Sequence, residues 1–99
     1  MIQYMEEDKK YKTEFLNLIQ KVATDKKLLE LLLDDLLTPQ EYQAFIKRWQ
    51  LVKRLKAGQA QRSIADELGV GVATVTRGAR VLHNKNGGFS QVFKKIFSK

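Results

Sequence analysis

The chain has 99 residues, no cysteine and a single histidine, His83. This composition excludes a disulfide framework and argues against a zinc site with ordinary ligands. The formal net charge of +7 and the pI of about 9.8 favour an anionic partner, either nucleic acid or an acidic membrane surface. We expect one domain over residues 1–99, with a core small enough to make oligomerisation reasonable.

The positive charge is unevenly distributed. Residues 1–57 carry 11 Lys and Arg against 9 Asp and Glu, whereas residues 58–99 carry 7 against 2. The N-terminus is polar and has no signal-peptide pattern, and no apolar run approaches the length of a membrane span. We therefore expect a cytosolic protein, without membrane association, whose positive field is concentrated in its C-terminal part.

The N-terminal part predicts one amphipathic helix after a polar start. Residues 1–10 are polar and are expected to fray. A helix is predicted from Tyr11 to about Ala23, because apolar residues there recur on one helical stripe. Thr24 or Asp25 is placed to cap the next helix.

Leu28 to Leu37 is the most apolar stretch. Seven of its ten residues are Leu, so a helix here would have apolar groups on more than one side. We interpret it as a subunit interface; the alternative is the central helix of a monomer. Asp34 and Asp35 are not a catalytic pair, since adjacent helical residues do not face each other. Without cysteine, clustered histidine or a nucleophile–base spacing, the sequence does not indicate an enzyme.

A long helix is predicted from Thr38 to about Ala57. Thr38 is the expected N-cap, Pro39 the first helical residue and Glu41 the partner in a capping box. Gly58 ends the helix. Its predicted apolar stripe consists of Tyr42, Phe45, Ile46, Trp49, Val52 and Leu55.

Residues 61–80 read as two short helices joined by a tight turn. In the first helix, Ile64 and Leu68 share one face, and Ala65 is small where a second helix must cross closely. Gly69 suits a left-handed C-cap. A second helix then starts near Gly71.

The second helix of this pair has two different faces. Val72, Val75 and Ala79 are predicted to point inward. The residues left outward are Thr74, Thr76, Arg77 and Arg80. This is a helix-turn-helix pattern, typical of a DNA-reading unit. The alternative, a plain αα-hairpin, explains the apolar spacing but not the row of Thr and Arg.

The C-terminal residues predict a closing helix after the turn-rich segment HNKNGG. Its apolar stripe consists of Phe89, Val92, Phe93, Ile96 and Phe97. We expect this helix to pack on a partner subunit; the alternative is a helix lying on a membrane surface. No strand pattern is present, so the predicted fold is all-α with about six helices.

The stretch from about Leu37 to Leu82 resembles the Trp repressor family. The resemblance is carried by LTP-x-E and by ELG-x-G-x-AT-x-TRG within QRSIADELGVGVATVTRGARVL. It implies an intertwined homodimer that binds a palindromic operator in double-stranded DNA. It also implies L-tryptophan as corepressor, and control of genes for tryptophan biosynthesis or uptake.

The resemblance also implies a set of ligand residues. Arg48 and Arg77 would sandwich the indole, and Arg77 would pair with the ligand carboxylate. A guanidinium plane is suited to both contacts. Val81 departs from the family, which often has a Ser at this position to hold the ligand ammonium.

Other implied contacts come from smaller groups. Thr38 would join Arg77 at the carboxylate, and Gly78 would leave room for the ring. Backbone carbonyls around Asp35 and Leu37 of the other subunit would accept from the ligand ammonium.

For DNA, the resemblance assigns Arg62 to a guanine edge. Val72, Ala73 and Thr76 would face bases, where apolar groups suit thymine methyls. Ala65 stands where the family can carry a Lys contact. The residues expected to meet phosphates are Thr74, Arg77, Arg80 and His83.

Two other interpretations stay open. Val81 favours a ligand-independent DNA-binding protein of the same fold, or the targeting module of a recombinase-like system. The C-terminal stripe would suit an amphipathic scaffold protein. The loop 58–61 is about one residue shorter than the family pattern, so two alignments with the family, one residue apart, are compatible with this loop. The sequence does not specify the operator, or whether another indole compound replaces tryptophan.

Overall fold

The computed structural model describes residues 2–97, with side chains from residue 6. The helices are α1 (Ile2–Val22), α2 (Lys26–Leu36), α3 (Pro39–Lys56), α4 (Gln61–Leu68), α5 (Val72–Leu82) and α6 (Gly88–Val92); α6 continues as a π-helical turn, Phe93–Phe97. Over the described residues the chain is all-α, which confirms the predicted fold class.

Helix α1 begins at Ile2, nine residues before the predicted start at Tyr11; Met1 lies outside the described residues. Glu6 precedes Lys10, and Asp8 precedes Lys12, by one helical turn. This spacing and order of opposite charges favours helix, which explains why a polar segment is helical.

The chain divides into two compact units, Met1–Tyr42 and Gln43–Lys99. In the first unit α1 packs on α2, and Asp25 caps α2 by accepting a 3.1 Å hydrogen bond from the Leu28 N–H. Val22, at 8% exposed, is the only buried side chain among the described residues of this unit. Helix α2 has no buried residue. Its interpretation as a subunit interface stays a prediction.

The start of α3 forms the predicted capping box. The Thr38 N–H donates to Glu41 Oε1 at 2.8 Å, and the Glu41 N–H donates to Thr38 Oγ1 at 3.1 Å. The backbone hydrogen bond from Thr38, followed by the bond to its hydroxyl, holds the pKa of Glu41 below its ordinary value of 4.5. The box therefore satisfies two free N–H groups and fixes where α3 begins.

The core of the second unit lies where α3, α4, α5 and the π-helical turn meet. Its buried residues are Leu51, Val52, Ile64, Ala65, Val75 and Phe93. Leu51, at 2% exposed, was not in the predicted α3 stripe, whereas Phe45 and Ile46 of that stripe are 52% and 44% exposed. The core-facing surface of α3 is thus rotated by part of a turn from the predicted one.

The C-terminal segment packs on α3 of its own chain. The Trp49 ring centroid lies 6.4, 5.5 and 5.9 Å from those of Phe89, Phe93 and Phe97. These separations fall in the range of favourable aromatic pairs. The predicted closing helix exists. Phe89 and Phe93 pack within the second unit, whereas Phe97 stays 59% exposed. The packing of this helix on a partner subunit stays a prediction.

Candidate nucleic-acid interface

The turn between α4 and α5 is built by two glycines. Gly69 ends α4 with φ +66° and ψ +38°, a left-handed conformation that favours glycine. The Val70 N–H then donates to Ala65 O at 3.1 Å, and the Gly71 carbonyl accepts from the Thr74 N–H at 3.0 Å to start α5. The two short helices and the tight turn predicted for residues 61–80 are thus present as α4 and α5.

Helix α5 separates a buried face from an exposed one. Val75 is fully buried and Ala79 partly buried, as predicted. Val72 is 45% exposed, so the prediction that it points inward is wrong. It is the first residue of α5.

The residues assigned to DNA lie on the surface, with one exception. Ala65 is 4% exposed and belongs to the core. This confirms the close helix crossing predicted there, but it removes Ala65 from the DNA-facing set because its side chain has almost no free surface. The exposed members are Arg62, Val72, Ala73, Thr74, Thr76, Arg77, Arg80 and His83.

Two polar contacts hold α4 in place. Thr76 Oγ1 donates to Gln61 Oε1 at 2.9 Å and so links the middle of α5 to the start of α4. Arg54 of α3 pairs with Glu67 of α4, with Arg54 Nε 3.1 Å from Glu67 Oε2. An exposed pair of this kind contributes ~0–1 kcal/mol, so the pair orients α4 more than it stabilises it. Sequence reasoning missed Gln61, for which only its position at the helix start was a signal.

The predicted ligand residues of the second unit are Arg48, Arg77, Gly78 and Val81. Both arginines are exposed. The Arg48 guanidinium carbon lies 5.7 Å from the centroid of the Phe45 ring, within cation–π range. Phe45 was not in the predicted site, although its spacing of three residues from Arg48 on one helix could have indicated the contact.

Gly78 faces α3 at close range. A Cβ atom added there would overlap Leu51 Cδ2 and lie 3.6 Å from Leu55 Cδ1. The space beside Gly78 is therefore filled by Leu51. Val81 is 52% exposed and has no polar side-chain atom.

The other predicted ligand residues lie in the first unit. The Thr38 hydroxyl accepts from the Glu41 N–H, and its O–H bonds the Glu41 carboxylate. Asp35 is exposed, and Leu37 is half-buried with its N–H donating to Leu33 O at 2.9 Å. The backbone carbonyls predicted around Asp35 and Leu37 stay a prediction.

Within the described part of the chain, no helix is long and apolar enough to cross a membrane. The same residues contain no group of three or more His, Cys, Asp or Glu placed to hold a metal ion.

The α4–turn–α5 geometry and its exposed face define a helix-turn-helix domain of the regulatory type. Residues 10–96 match the family model described as Trp repressor protein. The chain belongs to the Trp repressor family. This family consists of regulatory DNA-binding proteins, so the chain is not an enzyme.

Curated relatives agree with this assignment. A Trp operon repressor homolog of Vibrio vulnificus (strain YJ016) is 40% identical over 67 residues, which cover 67% of this chain and 66% of that protein. One of Vibrio atlanticus (strain LGP32) is 42% identical over 67 residues, covering 67% and 68%. One of Aliivibrio fischeri (strain MJ11) is 46% identical over 52 residues, covering 52% and 48%. The matched region thus spans about two thirds, or less, of these relatives.

Proposed function

We propose that the protein is a tryptophan-dependent transcriptional repressor. As a homodimer with L-tryptophan bound, it binds a palindromic operator and controls genes for tryptophan biosynthesis or uptake, acting in the cytoplasm. The single observation that carries the proposal is the exposed face of α5, set on a helix-turn-helix in a chain of this family.

The chemistry of that face suits a major groove. Thr74 and Thr76 supply hydroxyl groups, Arg77 and Arg80 supply positive charge, and Val72 supplies an apolar group for a thymine methyl. Residues 58–99 carry seven basic side chains against two acidic ones. Binding is therefore expected to be steeply salt-dependent, because phosphate contacts release counterions.

The proposal that L-tryptophan is the corepressor relies on the two arginines. The Arg48 guanidinium lies over the aromatic ring of Phe45. It would make the same kind of cation–π contact with the indole ring of a ligand. Arg77 is the bidentate partner proposed for the carboxylate, with the Thr38 hydroxyl as a second donor. Because Arg77 also belongs to the DNA face, ligand binding and DNA binding would be thermodynamically linked.

Exposed apolar groups support the homodimer. In the first unit α1 and α2 leave large hydrophobic side chains in solvent, as α3 does in the second. Large apolar side chains left exposed in such number mark an interaction site, and a second copy would bury them. These side chains are Tyr11, Phe15, Leu16, Leu18, Leu28, Leu31, Leu36, Phe45 and Ile46, each at least 42% exposed.

A mobility-shift titration tests the proposal. Duplexes are first selected from a random pool with the protein and L-tryptophan, and the recovered sequences are expected to be palindromic. A coupling free energy of ~1–3 kcal/mol would tighten binding roughly 5- to 150-fold when L-tryptophan is added. Equal affinity for DNA with and without tryptophan would reject the corepressor role of tryptophan. Failure to recover any duplex would reject operator binding.

Two neighbouring arginines provide a matched pair of variants. Arg77→Ala should weaken both tryptophan binding and DNA binding. Arg80→Ala removes the same charge from the same helix and should weaken DNA binding alone. If Arg77→Ala affects only one of the two ligands, its double role is wrong.

The second candidate function is ligand-independent DNA binding by the same fold. Two observations favour it: the Val81 side chain has no polar atom to bond a ligand, and Leu51 fills the space beside Gly78. Isothermal titration of the protein with L-tryptophan, without DNA, separates the two functions. Heat of binding supports the corepressor, and its absence together with operator binding supports this alternative.

A further inference from the structure

The second unit has a groove that the predicted tryptophan and DNA contacts leave almost unused. Its volume is about 1120 Å³, which exceeds the roughly 300–1,000 Å³ typical of small-molecule sites. Three lysines from three different elements line it: Lys56 at the end of α3, Lys85 in the turn after α5, and Lys94 in the π-helical turn. His83 lines it as well.

Local contacts order the segments that carry these lysines. Ser90 Oγ lies 3.0 Å from Leu82 O and 2.9 Å from Asn84 O, and so ties down the turn that carries Lys85. Lys56 Nζ lies 6.0 Å from the centroid of the Phe93 ring. Phe93 in turn stacks on Trp49, which fixes the turn that carries Lys94.

The charge of the groove is not compensated by its walls. None of the described residues that line it is Asp or Glu. Three ammonium groups around one groove raise a positive potential that an external anion would relieve. The groove therefore suits an anionic partner.

The groove is continuous with the DNA-reading unit. Gln61 lines it and accepts the 2.9 Å hydrogen bond from the Thr76 hydroxyl on α5. Arg62, assigned to a base edge, is the next residue along the chain. A duplex held against α5 would therefore extend past the start of α4 toward the lysines.

We propose that this groove binds the sugar-phosphate backbone of the operator beyond the bases read by α5. Lys85 and Lys94 are the principal contacts and Lys56 supports them. This inference rests on the proposed DNA-binding function, and it lengthens the stretch of operator that the protein contacts. A membrane surface is the less favoured partner, because Phe89 and Phe93 of the amphipathic stripe are already stacked on Trp49.

The experiment compares two variants that lose the same charge. Lys85→Gln/Lys94→Gln removes two lysines of the groove. Lys53→Gln/Lys95→Gln removes two exposed lysines of the same unit that do not line it. Operator binding of the parent and both variants is followed by fluorescence anisotropy over a series of NaCl concentrations at saturating L-tryptophan.

Each phosphate contact contributes about 0.9 to the slope of log K against log salt, and a dimer loses four lysines in the groove variant. We expect its slope to fall by about 2 to 4 and that of the control to change by less than half as much. A smaller fall, or an equal fall in the control, overturns the proposal while leaving operator binding intact. A parent protein that binds no duplex overturns both.

A parallel measurement addresses the membrane. The parent and the groove variant are sedimented with vesicles of phosphatidylcholine and phosphatidylglycerol. Loss of vesicle binding in the variant with an unchanged DNA salt slope would overturn the proposal in favour of a lipid surface. No vesicle binding, with the expected change in slope, supports it.

Discussion

Replacing Gly78 by Ala probes the closest approach between α5 and α3. The added methyl would overlap Leu51 Cδ2 and meet Leu55 Cδ1 at an ordinary 3.6 Å. Leu51 is 2% exposed, so its side chain has little free space to move into. Overpacking of this kind costs ~1–3 kcal/mol, against which Ala recovers ~0.8–1.0 kcal/mol of helix propensity.

The net expectation for Gly78→Ala is a free energy of unfolding lower by ~0–2 kcal/mol. Gly88→Ala is the matched control, because a Cβ there meets nothing within 4 Å, and it should be neutral or stabilising. Urea unfolding at one fixed protein concentration measures both, since subunit association would make the midpoint depend on concentration.

A double-mutant cycle with Leu51→Ala isolates the contact. Leu51→Ala alone should cost ~2–5 kcal/mol by leaving a cavity. In the double variant the methyl group added at position 78 occupies part of that cavity. The double variant should therefore lose less unfolding free energy than the sum of the losses in the two single variants. Additive costs, or a Gly78→Ala variant more stable than Gly88→Ala, would refute the packing role assigned to Gly78.

Two further predictions concern the ends of α3 and of the chain. The pKa of Glu41 is lower in the folded protein than its ordinary value of 4.5. The ionised carboxylate therefore stabilises the fold fully at a pH above 4.5, and this stabilisation is lost as the pH falls through the folded pKa. Thermal melts of Glu41→Gln and the parent should therefore converge as pH falls through that range; a constant difference down to the acid limit would contradict this. Phe93→Ala should lower the free energy of unfolding by ~3–5 kcal/mol, because Phe93 is 8% exposed and stacked on Trp49. Phe97→Ala, at a 59% exposed ring on the same turn, should cost much less in the same denaturation assay, and equal losses would show that burial does not set the effect.

Much of the fold followed from local signals in the sequence. The Thr38 capping box and the left-handed Gly69 each depend on a few neighbouring residues and were predicted from them. The cap of α2 was predicted to be Thr24 or Asp25, and Asp25 fills it. Helical periodicity also predicted that Ile64 and Val75 face the core, because α4 and α5 bury only one face each.

The remaining features depend on contacts between distant parts of the chain. Trp49 is stacked by three phenylalanines that follow it by at least 40 positions, and no periodicity within one helix specifies such partners. Similarly, Val72 fits the inward stripe of α5 by spacing, yet it is 45% exposed. The DNA-facing residues were named through the family resemblance, since a surface arginine alone does not indicate what it binds.

The single buried side chain among the described residues of the first unit, Val22, has a consequence for how the protein forms. Two helices joined by so little internal contact gain too little to offset the entropy of ordering them. On the proposed homodimer, the first 42 residues would acquire their structure only as two chains meet. Refolding would then be second order in chain concentration. Dimers that carry different tags would exchange subunits only as fast as those helices unfold.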